Sequence, residues 1–504
     1  MTQRSSNRYS RWLLLSQFLW TVPLAQPAFA QVQLPPNFIS PVVPHDVPTG
    51  SAASITDLAI FAWREFIALN WPSVDPATTG QRGRANGNAD FLSIKKDGEG
   101  SFPLLVWQTY RHKNELFPAD GKTDPKFDSS KPTYKYKGPP ITAGDSNPTM
   151  ELFNNLDESS QIGLCTMFSH TSIRIVYEAK VSRALFDYAN KNGLTTCDGK
   201  SCPTLDAALT KTSKNLAEFG GLCSADPSIV SLPCGDAAAP GDAGEGAIEI
   251  KAAWRQLTQD EINSGRFYTR KVLFYTGTQF VNQKYQNAVY GLVALHIIHK
   301  TKSFPTFVFA TWEQVDNYDD RSNQNSQQLV FQNTGTALPN IPVKREHPIH
   351  SQIPPVNDAV HAAFSAKDPG TIWQYYKLIG VQGRPVNGPP PPNTPIDDLS
   401  YYYLANIVVE TNQTLQNFFG KLSEAGTVES SQDVYLKGAA GSPFQMGGCK
   451  GCHGAAGQTA GGDMSVLLAS APSNSTHPPE SVDASAVASV KSYLQRSLDA
   501  LRRQ

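Results

Sequence analysis

Five consecutive residues constrain this 504-residue chain more than any other feature: Cys449-Lys450-Gly451-Cys452-His453. Two thiols stand three positions apart, and an imidazole follows directly. That spacing suits addition of both sulfurs across the two vinyl groups of one porphyrin edge. It also carries the imidazole beneath the ring, where its Nε2 can bind iron. With seven Cys and ten His in the chain, a chance match is expected only about 0.002 times per chain of this composition. Gly447, Gly448, Gly451 and Gly454 surround the motif and allow close backbone approach to a flat, bulky ligand. The motif predicts one covalent haem c, with Cys449 and Cys452 as thioether residues and His453 as the proximal iron ligand. A thioredoxin-like dithiol would sit between a strand and a helix, not in a Gly-rich loop near the C-terminus, where this motif is expected. A structural zinc site needs a second ligand pair, and the only later histidine is His477.

Covalent haem attachment of this kind takes place outside the bacterial cytoplasm, and residues 1–30 read as an export signal. Arg4, Arg8 and Arg11 form a basic stretch without an acid, Trp12 to Leu24 an apolar one, and Ala28-Phe29-Ala30 a processing site. The mature chain then starts at Gln31, with 40 basic residues left against 44 acidic ones after the three arginines go. That near balance excludes an obvious nucleic-acid surface. No later apolar run approaches the twenty or so residues of a membrane span. A periplasmic or secreted protein is expected, with no integral span after signal cleavage.

Periodicity predicts an α+β fold, a large mixed body with a central antiparallel sheet plus a small, mainly helical C-terminal haem segment. Ser54 caps a helix with apolar residues at Ile55, Leu58, Ala59, Ala62, Trp63, Phe66 and Ile67, stopped at Trp71-Pro72. Strands are expected at Leu104–Tyr110, Ile173–Val181, Ile248–Trp254, Lys271–Thr276 and Val289–His299, the last a central strand with Thr306–Trp312 as its hairpin partner. Ser182 to Asn192 reads as a helix ended by Gly193, and Thr195 to Gly244 as an elaborated loop. The body covers residues 31–383, a Pro-rich linker or loop 384–398, and the haem region 399–504, closed by an amphipathic helix from Ser481. His112, within Tyr110-Arg111-His112-Lys113, reads as solvated surface. The acidic run at Asp316, Asp319 and Asp320 lacks the Gly and Glu of a calcium loop and reads as a solvated turn.

Outside the motif stand Cys165, Cys197, Cys202, Cys223 and Cys234. In an exported chain this odd set implies two disulfides and one leftover thiol. Local pairing, Cys197 with Cys202 and Cys223 with Cys234, would staple the long loop and leave Cys165 over. Spacing does not fix the connectivity.

The pentapeptide with its glycines resembles the attachment site of c-type cytochromes. The stretches Gly246–Arg255, Leu295–Thr301 and Thr311–Asn317, together with Met446-Gly447-Gly448-Cys449, resemble large exported mono-haem cytochrome c family proteins. That resemblance spans most of the mature chain. It implies haem binding, electron transfer and a redox partner protein, and it implies no substrate. The chain departs from the compact cytochrome pattern in placing its motif after a large body rather than after an N-terminal helix.

The sixth ligand of such an iron separates a carrier from an enzyme. Met464, eleven residues past His453, has about 35 Å of chain to round a porphyrin edge. Packing beside Val466, Leu467 and Leu468 explains it equally well. Met446, His296 and His299 are the alternatives, the two histidines on opposite faces of one strand; His170 and His361 also stay open. The expectation is an electron-transfer protein more than an enzyme. A peroxidase- or oxygenase-like oxidoreductase with an open iron is the second reading, and a haem sensor or redox-complex subunit the third.

Overall fold

The computed structural model describes residues 32–136, most of 138–385, and beyond them 404–409, 432–437 and 443–471. The export signal, the run Pro389–Pro392, most of the segment 399–419 and the tail from Ser481 lie outside the described residues.

Helix α1, Ile55–Leu69, begins as its sequence dictates. The Ser54 side chain accepts the Asp57 N–H while Asp57 reaches back to the Ser54 N–H, a reciprocal cap. The strands are β1 (Cys165–Ser169), β2 (Ile173–Val181), β3 (Ile248–Gln256), β4 (Thr269–Thr278), β5 (Val281–His299) and β6 (Val308–Gln314). The body adds β7 (Val330–Asn333) and β8 (Tyr376–Gln382), besides two-residue strands at Arg111–His112, Thr142–Ala143, Asn155–Leu156 and Ile341–Pro342. Between β2 and β3 lie helices α2 (Arg183–Lys191) and α3 (Pro203–Ser213), and before β8 lies α4 (Ile353–Lys367). The main sheet runs β7-β1-β2-β3-β5-β6-β8 with every one of these neighbours antiparallel. The first half of β5 pairs instead with β4. The fold is α+β.

Register assigns the two faces. Ile250, Ala252, Leu295, Ile297, His299, Ala310 and Trp312 share one face, which is covered by α1 and α4. Trp63 of α1 meets Trp312 edge-on, and its indole N–H donates to Asn357 of α4 at 2.9 Å. The opposite face carries Glu249, Lys251, Ala253, His296, Ile298, Phe309 and Thr311. Over this second face lie Leu404–Val409 and the C-terminal motif. Tyr177 Oη donates to Val408 O at 3.0 Å and Ile407 N to Glu313 Oε1 at 3.0 Å.

Several expectations change. Leu104–Tyr110 is not a strand: Trp107–Thr109 forms a short helical turn, because the Gln108 side chain accepts the Leu105 N–H and Thr109 Oγ1 donates to Val106 O. The long loop contains α3, whose Pro203 suits a first helical turn and whose Leu205, Ala208 and Leu209 are buried. Strand β5 starts eight residues earlier than expected, its polar first half being held by the ladder to β4 rather than by an apolar core. His112 is fully buried, not solvated: Nδ1 accepts the Asn114 N–H, while the flanking Arg111 and Lys113 pair with Glu115 and Glu158. The acidic turn is ion-paired, Asp316 to Arg266 and Asp320 to Arg345 and Lys377. Disulfides join Cys197 to Cys202 and Cys223 to Cys234. Among the described residues no helix is long and apolar enough to cross a membrane.

Candidate functional site

A two-stranded hairpin, β9 (Gln432–Val434) with β10 (Phe444–Met446), delivers the chain to the motif. Helix α5, Gly448–His453, is little more than one turn, followed by a wide turn at Gly454–Gln458 and by α6, Val466–Ala469. The tightness of this region fixes its glycines. A Cβ at Gly454 would stand 2.6 Å from the Asp433 carbonyl oxygen, and one at Gly457 would stand 2.7 Å from the Met464 carbonyl carbon.

Cys449 and Cys452 fall one turn apart on α5, and both are thiols. Cys449 is buried, its backbone N–H and its sulfur both directed at Leu404 O, at 2.9 and 2.8 Å. Cys452 is half-buried.

His453 Nδ1 lies 2.7 Å from Met464 O. A carbonyl only accepts, so Nδ1 carries the proton and the lone pair of the neutral ring is on Nε2. Loss of hydration on burial pushes the imidazole down to about 4 against the opposing pull of that hydrogen bond, with His296, Lys450 and Lys251 pushing the same way as burial. At neutral pH the ring is an uncharged base with one nitrogen to offer. Phe309 from the sheet meets it edge-on, ring centroids 4.9 Å apart.

Lys450, the first residue between the two cysteines, is fully buried. Its Nζ donates to Phe307 O at 2.6 Å, to Thr306 Oγ1 at 3.2 Å and to Thr306 O, and burial pushes this amine well below the ordinary lysine range. Gln382 of β8 accepts the Lys450 N–H at 2.9 Å and donates to Gly447 O at 3.3 Å. The motif is thereby bolted to the body, and Val434, Met446, Cys449, Met464 and Leu468 belong to the body's main apolar core.

The candidate distal residues separate clearly. Met464 is fully buried, and its backbone carbonyl accepts from His453 Nδ1. His299 faces α1 on the far side of the sheet, with Nδ1 paired to Glu65 and Nε2 to Glu245 O, so both ring nitrogens are spoken for. Met446 is fully buried beside the motif. His296 is half-buried on the motif's own face, between Lys251 and Thr311 in register, and within electrostatic reach of His453. His361 is occupied at Nε2 by Tyr376 O, and His170 lies beside Glu261.

Sequence reasoning missed Phe309, Gln382, Lys300 and Asp463 as parts of this site. Only Asp463 carried a local signal, following Gly461-Gly462; the others come from strands or strand ends more than sixty residues away. Among the described residues no group of three or more His, Cys, Asp or Glu is assembled to hold a metal ion by side chains alone. No family model matches this sequence, and no curated protein or solved structure shows significant similarity to it.

Proposed function

We propose that this chain is an exported mono-haem c-type cytochrome that transfers electrons, its haem c held through Cys449 and Cys452 with His453 on the iron. One observation carries the reading. Directly behind a turn that bears both sulfurs, an imidazole is kept neutral, its Nδ1–H given to Met464 O and its Nε2 lone pair left to offer. A metal-bound histidine needs that arrangement, its second nitrogen fixed by a carbonyl. The bound group would supply one-electron exchange between ferric and ferrous iron. The chain's own residues do the rest. Phe309 and the buried core wall the imidazole, Lys450 and Gln382 fix the turn, and His296 and Lys251 stand on the same sheet face as Phe309. Attachment at Cys449 consumes the S–H that Leu404 O accepts, so Leu404–Val409 is the segment expected to shift. The basic leader at Arg4, Arg8 and Arg11 and the two disulfides support export to an oxidising compartment.

A second reading, an oxidoreductase with an open iron site, is favoured by the placement of Met464 behind His453. A visible spectrum and carbon monoxide titration of the protein made with a working cytochrome maturation system tests both. A six-coordinate low-spin spectrum without uptake supports the carrier, and rapid uptake supports the enzyme. A colourless protein with the mass of bare polypeptide overturns both.

A further inference from the structure

Asp463 and Met464 hold backbone φ angles of +52° and +68°. Residues with side chains avoid this region, and two in succession persist only where their surroundings enforce it. The enforcement comes from the body. Leu232 N donates to Asp463 Oδ2 at 2.7 Å, and the fully buried Lys300 ammonium pairs with the same oxygen. Lys300 is the residue directly after β5, and it also donates to Leu222 O at 2.8 Å. On the other side Gly457 lies against the Met464 backbone with no room for a Cβ. The product of this constraint is one aimed atom, Met464 O, at Nδ1 of His453.

We propose that Asp463 is a positioning residue for His453, anchored by Lys300 and the Leu232 N–H, and that it acts by holding the Met464 carbonyl as the acceptor for Nδ1. The functional consequence rests on the haem reading above. An acceptor fixed at Nδ1 sets the tautomer and increases the basicity of Nε2, which favours the ferric state. Loosening it weakens the iron–histidine bond and raises the midpoint potential.

The test uses the full-length holo-protein and two double variants, Lys300→Met/Asp463→Gly and Lys300→Met/Asp463→Asn. Removing both charges avoids stranding a buried ion. Asn keeps an oxygen for Leu232 N–H and tolerates positive φ, whereas Gly keeps the φ and loses the anchor. The Gly variant is expected to lower the iron–histidine stretching frequency and shift the ferric–ferrous equilibrium about tenfold, an upward move of about 59 mV for one electron. The Asn variant is expected to stay near wild type. A Gly variant that loses thermal stability while both readouts stay unchanged overturns the proposal, because a purely structural tie would do only that. Should the Gly variant not fold, the His453 Nδ1 proton of the wild-type protein decides by NMR: protection from exchange supports the anchored acceptor, and rapid exchange overturns it. A colourless wild type refutes the haem reading, while the same proton on the bare polypeptide still judges the positioning. A coloured wild type with unresponsive variants refutes the positioning alone.

Discussion

Lys450 Nζ lies 4.8 Å from the centre of the Phe309 ring, which packs T-shaped against the His453 ring. One sheet residue thus touches two members of the motif, and the buried amine, which burial pushes well below the ordinary lysine range, is satisfied by carbonyls of the body, not by a carboxylate. Replacing Lys450 with Met keeps the apolar stem and leaves the Thr306 and Phe307 carbonyls without their donor. Urea unfolding should show a loss of about 1–3 kcal/mol. An unchanged midpoint would mean that water replaces the amine at no cost.

Met464→Leu separates backbone from side chain. If Met464 serves through its carbonyl, the spectrum and midpoint potential of the holo-protein should match wild type, with a stability cost below about 1.5 kcal/mol for a near-isosteric swap. Conversion to a high-spin spectrum would restore Met464 as an axial ligand.

Glu249 is buried on the motif's face and hydrogen-bonds Ser465; burial first, then the nearby Asp463, pushes its carboxyl up to about 7 against that hydrogen bond. A carboxyl raised on folding stabilises the protein fully below its unfolded value near 4.5 and loses that contribution as pH rises toward 7. The loss is of the order of 3 kcal/mol. Glu249→Gln should flatten the stability profile between about pH 4.5 and 7. A wild-type profile already flat in that window would refute the raised value.

Glu115 behaves oppositely. Burial alone would raise it, but Arg82, Arg111 and the His112 N–H bind both its oxygens and hold it at about 2. Its contribution is present above about pH 4.5, and of the order of 3 kcal/mol is lost as pH falls toward 2. Glu115→Gln should remove that acid slope and destabilise the protein at neutral pH, measured by thermal melts across the range. An acid limb that survives the substitution undiminished would assign the loss to other carboxylates.

The Cys223–Cys234 bridge closes the loop that carries Leu232, a contact of Asp463, and directly follows Leu222, a contact of Lys300. Converting both cysteines to Ala should cost about 2–3 kcal/mol. It should also broaden the spectrum of the holo-protein, whereas Cys197→Ala/Cys202→Ala should affect stability alone. Equal spectral effects of the two pairs would contradict this link.

Where a signal is local, the residues themselves decided the outcome. Ser54 with Asp57 caps α1, and Ile173–Val181 alternates and forms β2 over those same residues. The Gly-rich loop read around Cys449, Cys452 and His453 is instead the helical turn α5. What covers each side chain was beyond such reading. His112 looked solvated because its neighbours are charged, yet those charges are paired within the fold. His296 and His299 are interchangeable in composition, and only the sheet register gives one to the motif and the other to Glu65. The contact made by the Met464 backbone likewise comes from tertiary structure. Its carbonyl is aimed by Asp463, and Asp463 is held by Lys300 and Leu232, partners 163 and 231 residues distant in sequence. Contacts of that range leave no periodicity in a chain, because they depend on where whole elements pack rather than on how any one of them winds.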